Sequence, residues 1–282
     1  MVTALYVILA FATSVGAGLL CALLGLGGGV VLVPTLVFLL DVPMHLAIGT
    51  SIVAIVATSS AASATYVRDG LTNMRLGMFL ELSSATGALA GAFVAISVDE
   101  ALLQVLFGAI LIYASYAMLH GRSSEGGWRP ASNDPWASRL RLGGSYYDAA
   151  EGKEVSYGVT RTPLTFGISY LAGMVSGLLG IGGGSVKVPA MNMVSRIPIK
   201  AAVATSNFMI GVTAAASAII YLNRQYVQAF IAAPAILGVL LGATIAPRLA
   251  NRVRGDILKK IFILVMLLAA VKFILSGLGV YL

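Results

Sequence analysis

The sequence predicts an all-α membrane protein of two inverted repeats, each a glycine-rich broken-helix hairpin followed by three transmembrane helices, with about 8–10 segments in all. Three observations support this fold class. The chain is extremely apolar, it matches itself at one fixed shift, and equivalent loops of its two halves carry opposite charge.

The composition predicts a protein that is embedded in a lipid bilayer. Hydrophobic residues make up 59% of the 282 residues and charged residues only 10%, whereas soluble domains carry about 25% charged residues. The formal charge of +7 resides in loops between apolar stretches, which is typical of positive-inside topology rather than of nucleic-acid binding. The single cysteine, Cys21, excludes an internal disulfide.

Ten apolar segments follow one another along the chain, and a polar stretch at 120–163 separates five from five. Most are long enough for the roughly 20 residues that a membrane-crossing helix needs. The segments 28–40 and 183–195 are too short, so we expect half-helices there. The segments are 3–24, 28–40, 46–66, 76–97, 101–119, 164–180, 183–195, 200–222, 228–250 and 257–281.

An internal repeat relates the two halves. A shift of 155 residues places GLLCALLGLGGGVVLVP, from Gly18 to Pro34, on GMVSGLLGIGGGSVKVP, from Gly173 to Pro189. The register holds further along, since Pro43 falls on Pro198. We therefore predict three regions, listed in chain order: an N-terminal transmembrane repeat at 1–119, a cytoplasmic linker at 120–163 and a C-terminal transmembrane repeat at 164–282.

Loop charge predicts that the repeats are inverted. The turn at Asp99 and Glu100 is acidic, whereas the matching turn of the second half is basic, with Arg252 and Arg254. Because basic loops stay in the cytoplasm, equivalent loops lie on opposite faces. Both termini are then expected outside.

The glycine clusters interrupt the first two segments of each half. Glycine costs about 1 kcal/mol in a helix interior, and a broken backbone is tolerated in a membrane only where protein or water satisfies it. The half-helices that start at Gly28 and Gly183 would direct free N–H groups to the midplane, which favours an anion site. Small residues at this spacing also allow close helix packing, so packing alone is the alternative.

Lys187 is the most informative single residue. A lysine at this depth costs a few kcal/mol, and its counterpart in the first half is Leu32. It is either a counter-charge for an anionic substrate, or the partner of a buried carboxylate, for which Glu81 is the candidate. Snorkelling is a third explanation.

Further candidates follow from the same pattern. Hydroxyl and amide side chains near the hairpins could bind oxyanion oxygens or cap helices. We predict no catalytic residue, no metal ligand and no cofactor. The predicted substrate-binding residues are Gly27, Gly28, Gly29, Thr50, Ser51, Gly182, Gly183, Gly184, Lys187, Asn192, Thr205, Ser206 and Asn207.

The paired motifs ALLGLGGGVVLVP and GLLGIGGGSVKVP resemble those of the sulfite exporter TauE/SafE family. The resemblance covers nearly the whole chain and implies secondary transport of sulfur-containing anions such as sulfite, thiosulfate and sulfoacetate. The motif positions that it carries are Gly27, Gly28, Gly29, Pro34, Gly182, Gly183, Gly184 and Pro189. The long linker is not explained by these motifs.

We therefore expect a non-enzymatic secondary transporter of sulfite, sulfoacetate or a related organosulfonate, exporting by alternating access. A passive anion channel and a non-transporting membrane sensor are the alternatives. The expected partners are a small anionic substrate and the lipid bilayer, without nucleic acid, and a homodimer is left open. The expected location is the cytoplasmic membrane of a bacterium or archaeon, crossed several times.

Overall fold

The computed structural model describes residues 2–24, 28–120, 132–148, 152–250 and 255–279. The first half consists of α1 (Val2–Leu24), α2 (Gly29–Leu40), α3 (Met44–Arg68), α4 (Met74–Ala95) and α5 (Glu100–His120). The middle of the chain contributes α6 (Pro135–Leu140), β1 (Gly144–Asp148) and β2 (Lys153–Tyr157). The second half consists of α7 (Thr162–Leu179), α8 (Gly184–Pro189) with a π-helical turn (Ala190–Val194), α9 (Ile199–Asn223), α10 (Ala229–Ala250) and α11 (Gly255–Gly277).

Five described helices are long and apolar enough to cross a membrane: α3, α4, α7, α9 and the Glu100–Ala117 part of α5. Large apolar side chains on their outer faces are exposed, among them Leu82, Phe93 and Ile219. Contiguous exposed apolar surface of this extent is unstable in water but suits lipid. The chain is therefore an integral, predominantly helical membrane protein.

Two pairs of helices pack through glycine at equivalent positions. A Cβ atom on Gly18 of α1 would lie 2.3 Å from the carbonyl oxygen of Val239 in α10. A Cβ atom on Gly173 of α7 would lie 2.0 Å from the carbonyl oxygen of Ser84 in α4. The shift of 155 residues exchanges these two contacts, so α1 packs on α10 as α7 packs on α4. Close backbone approach through small residues is the usual way in which membrane helices associate.

The remaining long helices pack on their own counterparts: α3 contacts α9, and α5 contacts α11. Gly108 of α5 lies against Ala270 and Ile274, whereas Gly277 of α11 lies against Ala101 and Val105. Low numbers in α5 thus meet high numbers in α11, and these two equivalent helices run antiparallel.

Backbone conformations at the element ends recur at the same shift. Asp41 and Arg196 both adopt left-handed conformations, with φ of 50° and 56°. Pro43 and Pro198, which precede α3 and α9, have φ/ψ of −52°/142° and −53°/139°. The hairpin-to-helix turns of the two halves therefore have the same local geometry despite different side chains.

The described part of the linker departs from the all-helical prediction. Strands β1 and β2 form an antiparallel hairpin in which Gly144 pairs with Tyr157 and Asp148 with Lys153. Its apolar side chains join a second core with the start of α4 and the start of α9, built from Leu76, Leu80, Leu142, Tyr146, Tyr157, Val159, Met191, Ile197 and Ala201 among others. The linker therefore packs beside the second glycine hairpin.

Candidate functional site

The turn of the second hairpin is formed by glycines that adopt conformations unfavourable for other residues. Helix α7 ends at Leu179, and Gly180, Gly182 and Gly183 have φ of 68°, 79° and 69°. Any L-residue with a side chain is strained at such angles. Helix α8 starts at Gly184 and its backbone continues into the π-helical turn. The predicted break thus lies where the glycines are.

The first hairpin contacts this turn directly. Helix α2 starts at Gly29, where a Cβ atom would lie 2.0 Å from the carbonyl oxygen of Gly180. The hydroxyl of Ser51 donates a hydrogen bond to the same oxygen over 2.8 Å. The start of α2, the second glycine turn and α3 therefore meet at one point inside the bundle. Gly27, also predicted as a binding residue, lies outside the described residues.

Lys187 lies one helical turn after Gly183, is fully buried and belongs to a polar cluster. Only 1% of the residue is exposed, and its Nζ donates a hydrogen bond to Thr213 Oγ1 over 2.6 Å. Thr213 in turn donates to Glu81 Oε1 over 2.7 Å, and Ser84 Oγ lies 3.0 Å from Thr213 Oγ1. We call Glu81, Ser84, Lys187 and Thr213 the charged cluster. It joins α4, α8 and α9.

The ion pair within the charged cluster is incomplete. Lys187 Nζ lies 3.8 Å from Glu81 Oε2, which is too long for a hydrogen bond. Glu81 Oε2 and, two residues before Lys187, Ser185 Oγ are buried without a hydrogen-bond partner among the described residues. Buried polar atoms usually have partners, so Glu81 Oε2 can still accept a hydrogen bond, and the Ser185 hydroxyl can still donate one to an anion or water.

The other predicted residues divide into two groups. The hydroxyls of Thr50 and Ser206 are buried without a hydrogen-bond partner in the described part of the chain. The side chains of three other residues are already hydrogen-bonded to backbone groups. Thr205 Oγ1 accepts from Asn73 N over 3.0 Å. The amides of Asn192 and Asn207 donate to the carbonyl oxygens of Ile197 over 2.8 Å and of Val203 over 3.0 Å. The second group has a structural role in this conformation.

Sequence reasoning did not select Thr213 or Ser84. Thr213 lies in the middle of α9, 26 residues after Lys187, where a threonine is ordinarily explained by bonding back to its own helix. Its hydroxyl does contact Met209 O, 2.9 Å away. Only the packing of α9 against α8 reveals its contact with the lysine. Within the described ranges, no three His, Cys, Asp or Glu side chains are grouped to hold a metal.

Comparisons with known proteins agree with this architecture. The family model described as "Sulfite exporter TauE/SafE" matches residues 10–273. The probable membrane transporter protein YunE of Bacillus subtilis is 28% identical over 93% of this chain and 94% of its own length. Probable membrane transporter proteins of Xylella fastidiosa and Haemophilus influenzae are 27% and 26% identical over 90% and 96% of this chain, and over 89% and 99% of their own lengths. No solved structure matches the chain.

Proposed function

The chain belongs to the sulfite exporter TauE/SafE family of membrane transporters, and from this premise we propose that it exports small sulfur-containing anions across the cytoplasmic membrane. Sulfite, sulfoacetate and related organosulfonates are the proposed substrates. The mechanism is secondary transport by alternating access. One observation carries the proposal: a lysine with 1% exposure lies in the broken helix α8, and its ion pair with the Glu81 carboxylate, at 3.8 Å, is not closed by a hydrogen bond.

We propose that the two halves are inverted repeats. The exchange of glycine contacts between α1–α10 and α7–α4 supports a two-fold relation between them. The antiparallel packing of α5 on α11 supports an axis in the plane of the membrane, because equivalent spanning helices then run in opposite directions. Such inverted repeats allow the same structure to open first to one side and then to the other.

The proposed binding site lies between the two glycine turns and the charged cluster. The predicted glycines would present backbone N–H groups, and Lys187 would supply the positive charge that an oxyanion requires. The unpartnered hydroxyls of Thr50, Ser185 and Ser206 would complete the ligand set. An ammonium in a water-poor site attracts an anion far more strongly than in water, because screening is weak there.

Alternating access requires the two hairpins to separate. In the present conformation Gly29 and Gly180 are in backbone contact, so an anion between them must displace one turn. The positive φ angles of Gly180, Gly182 and Gly183 make this turn the natural hinge, since glycine can change φ without steric cost. Direct contact at the centre also favours a carrier over a permanently open channel.

The test is anion flux into proteoliposomes containing the purified chain. Saturable uptake and counterflow of sulfite, sulfoacetate or another organosulfonate are expected, and Lys187→Met should reduce both at least 100-fold. Lys272→Met is the matched control, because Lys272 is exposed on α11 with its Nζ 4.5 Å from the ring centre of Phe38. Absence of saturable flux for every sulfur anion, or equal loss in both variants, would contradict the proposal.

A further inference from the structure

We propose that Glu81 is the proton-binding site of this transporter, so that one proton accompanies each monovalent anion bound at Lys187. The inference rests on the proposed function and adds the coupling ion, which neither the family match nor the relatives' names specify. It follows from the geometry of the charged cluster and from a count of its charges.

The carboxylate of Glu81 is placed to exchange a proton. The residue is 5% exposed, and its Oε1 accepts a hydrogen bond from the hydroxyl of Thr213 at 2.7 Å. The other oxygen, Oε2, faces Lys187 Nζ at 3.8 Å without a hydrogen-bond partner among the described residues. A purely structural carboxylate would normally have both oxygens satisfied.

Other titratable groups on the elements packed against α4 are committed elsewhere or turn outward. Tyr221 of α9 donates to Gly177 O over 2.9 Å, and Lys200 at the start of α9 binds Asp148 over 2.8 Å. Tyr170 of α7 is 39% exposed, and the hydroxyl of Tyr157 in β2 accepts from Asn73. Among the described residues, Lys187 is the one cationic side chain that lies within 4 Å of the Glu81 carboxylate.

The net charge of the site links proton binding at Glu81 to anion binding at Lys187. Without substrate, the ammonium and the carboxylate sum to zero. A monovalent anion at Lys187 beside an ionised Glu81 would leave one net negative charge in the bundle, and an uncompensated buried charge is strongly unfavourable. Protonation of Glu81 removes that charge, and the anion replaces the carboxylate as the partner of Lys187. The empty and the loaded site are then both neutral.

Two properties of transport follow. The coupled movement of an anion and a proton in the same direction is electroneutral, so the concentration gradients of the anion and the proton, and not the membrane potential, drive transport. A dianion such as sulfoacetate would leave one negative charge uncompensated even with Glu81 protonated. Monovalent sulfonates should therefore bind more tightly than divalent ones at the same pH.

The experiment uses methanesulfonate, which stays a monovalent anion across the pH range, in proteoliposomes that contain a trapped pH dye. An imposed methanesulfonate gradient should move about one proton per anion, and an imposed potassium-diffusion potential should leave the rate unchanged. Glu81→Gln mimics the protonated acid. It should keep anion counterflow, lose proton movement and become sensitive to the potential. Glu154→Gln, which alters an exposed carboxylate on β2, should behave as the unmodified chain.

A second measurement covers the case in which Glu81→Gln does not fold. Binding of methanesulfonate to the unmodified chain in detergent should take up about one proton. At pH values where Glu81 of the empty site is ionised, the affinity for methanesulfonate should rise up to tenfold for each unit by which the pH is lowered. Anion flux without proton movement, or a one-to-one proton count that persists in Glu81→Gln, would overturn the inference. Transport of sulfoacetate but not of methanesulfonate would also overturn it. If no sulfur anion is transported at all, the proposed function itself has failed.

Discussion

The two glycine hairpins lie in equivalent surroundings with opposite chemistry. The second hairpin packs against the charged cluster. The shift of 155 residues places Leu32, Thr58, Ile236 and Val239 at the equivalent positions of the first. Leu32 and Val239 are fully buried apolar side chains, and the Thr58 hydroxyl donates back to Ala54 O, 3.0 Å away in its own helix. One half therefore shows that this packing forms without any charge.

That difference separates what the fold requires from what function requires. Gly18 and Gly173 make matching backbone contacts in the two halves, so the helix packing is common to both. Replacing a buried ion pair by apolar residues is often neutral or stabilising, as the first half illustrates. A chain that keeps a buried lysine and carboxylate in one half only is thus best explained by a role for those charges beyond folding.

The largest expected effect comes from replacing the buried charges around the second hairpin by the apolar residues found at the equivalent positions around the first. Lys187→Leu should abolish transport and destabilise the chain by about 3–5 kcal/mol, because Glu81 is left buried without its cation. The double variant Lys187→Leu/Glu81→Ile should recover most of the stability but no transport. Melting temperature in detergent and sulfonate flux measure the two properties on the same preparations.

This pair of variants distinguishes a structural from a functional lysine. Recovery of both stability and flux in the double variant would mean that the charged cluster only holds helices together. The reverse experiment, Leu32→Lys alone, should destabilise the chain by a few kcal/mol, since no carboxylate stands opposite it in the first half.

Packing should respond equally in both halves. Alanine at Gly18 or Gly173 would place Cβ 2.3 or 2.0 Å from a backbone carbonyl oxygen, so helices must move apart. Each substitution should cost about 1–3 kcal/mol, measured by thermal unfolding in detergent. Gly167→Ala is the matched control, because a Cβ atom there meets nothing within 4 Å. A large effect at one glycine only would contradict the symmetry of the packing.

Threonine provides a smaller comparison between the halves. Thr213→Val removes the hydroxyl that links Lys187 to Glu81, and hydrogen bonds to charged groups contribute about 1.5–3 kcal/mol. We expect sulfonate flux to fall about tenfold or more. The equivalent Thr58→Val changes a hydroxyl bonded only within its own helix and should leave flux within twofold. Equal effects would remove the functional distinction between the hairpins.

Hydropathy and glycine were sufficient to predict the membrane class and the break before α8, because both act locally. The β1–β2 hairpin was harder to predict, because its strands are short and pack against α4 and α9. Lys187 was found because its charge is anomalous in an apolar run. Thr213 was not, because its role depends on which face of α9 meets α8, and the sequence has no local signal for that.

The smallest expected effect concerns the linker, which packs against α4 of the first half and against the second half. Asp134 accepts hydrogen bonds from the N–H groups of Ala137 and Thr162 over 2.6 and 2.7 Å and from the Thr162 hydroxyl. Burial acts to raise the pKa of Asp134, but these hydrogen bonds outweigh it and hold the pKa below its usual value. Its stabilisation is therefore complete above the unfolded pKa of about 4 and disappears as the pH falls through the lower folded pKa.

Asp134→Ala should accordingly cost about 1 kcal/mol at neutral pH, the usual loss for a helix cap, and act on α6 and the first turn of α7 rather than on the rest of the bundle. Amide hydrogen exchange over residues 135–142 should accelerate about fivefold, while exchange in α4 and α9 and sulfonate flux stay unchanged. Asp134→Asn keeps one acceptor oxygen, so its exchange rate over residues 135–142 should lie between those of the unmodified chain and of Asp134→Ala. If flux falls together with α6 protection, the linker controls the second hairpin, and the asymmetry between the halves extends from the charged cluster to the linker.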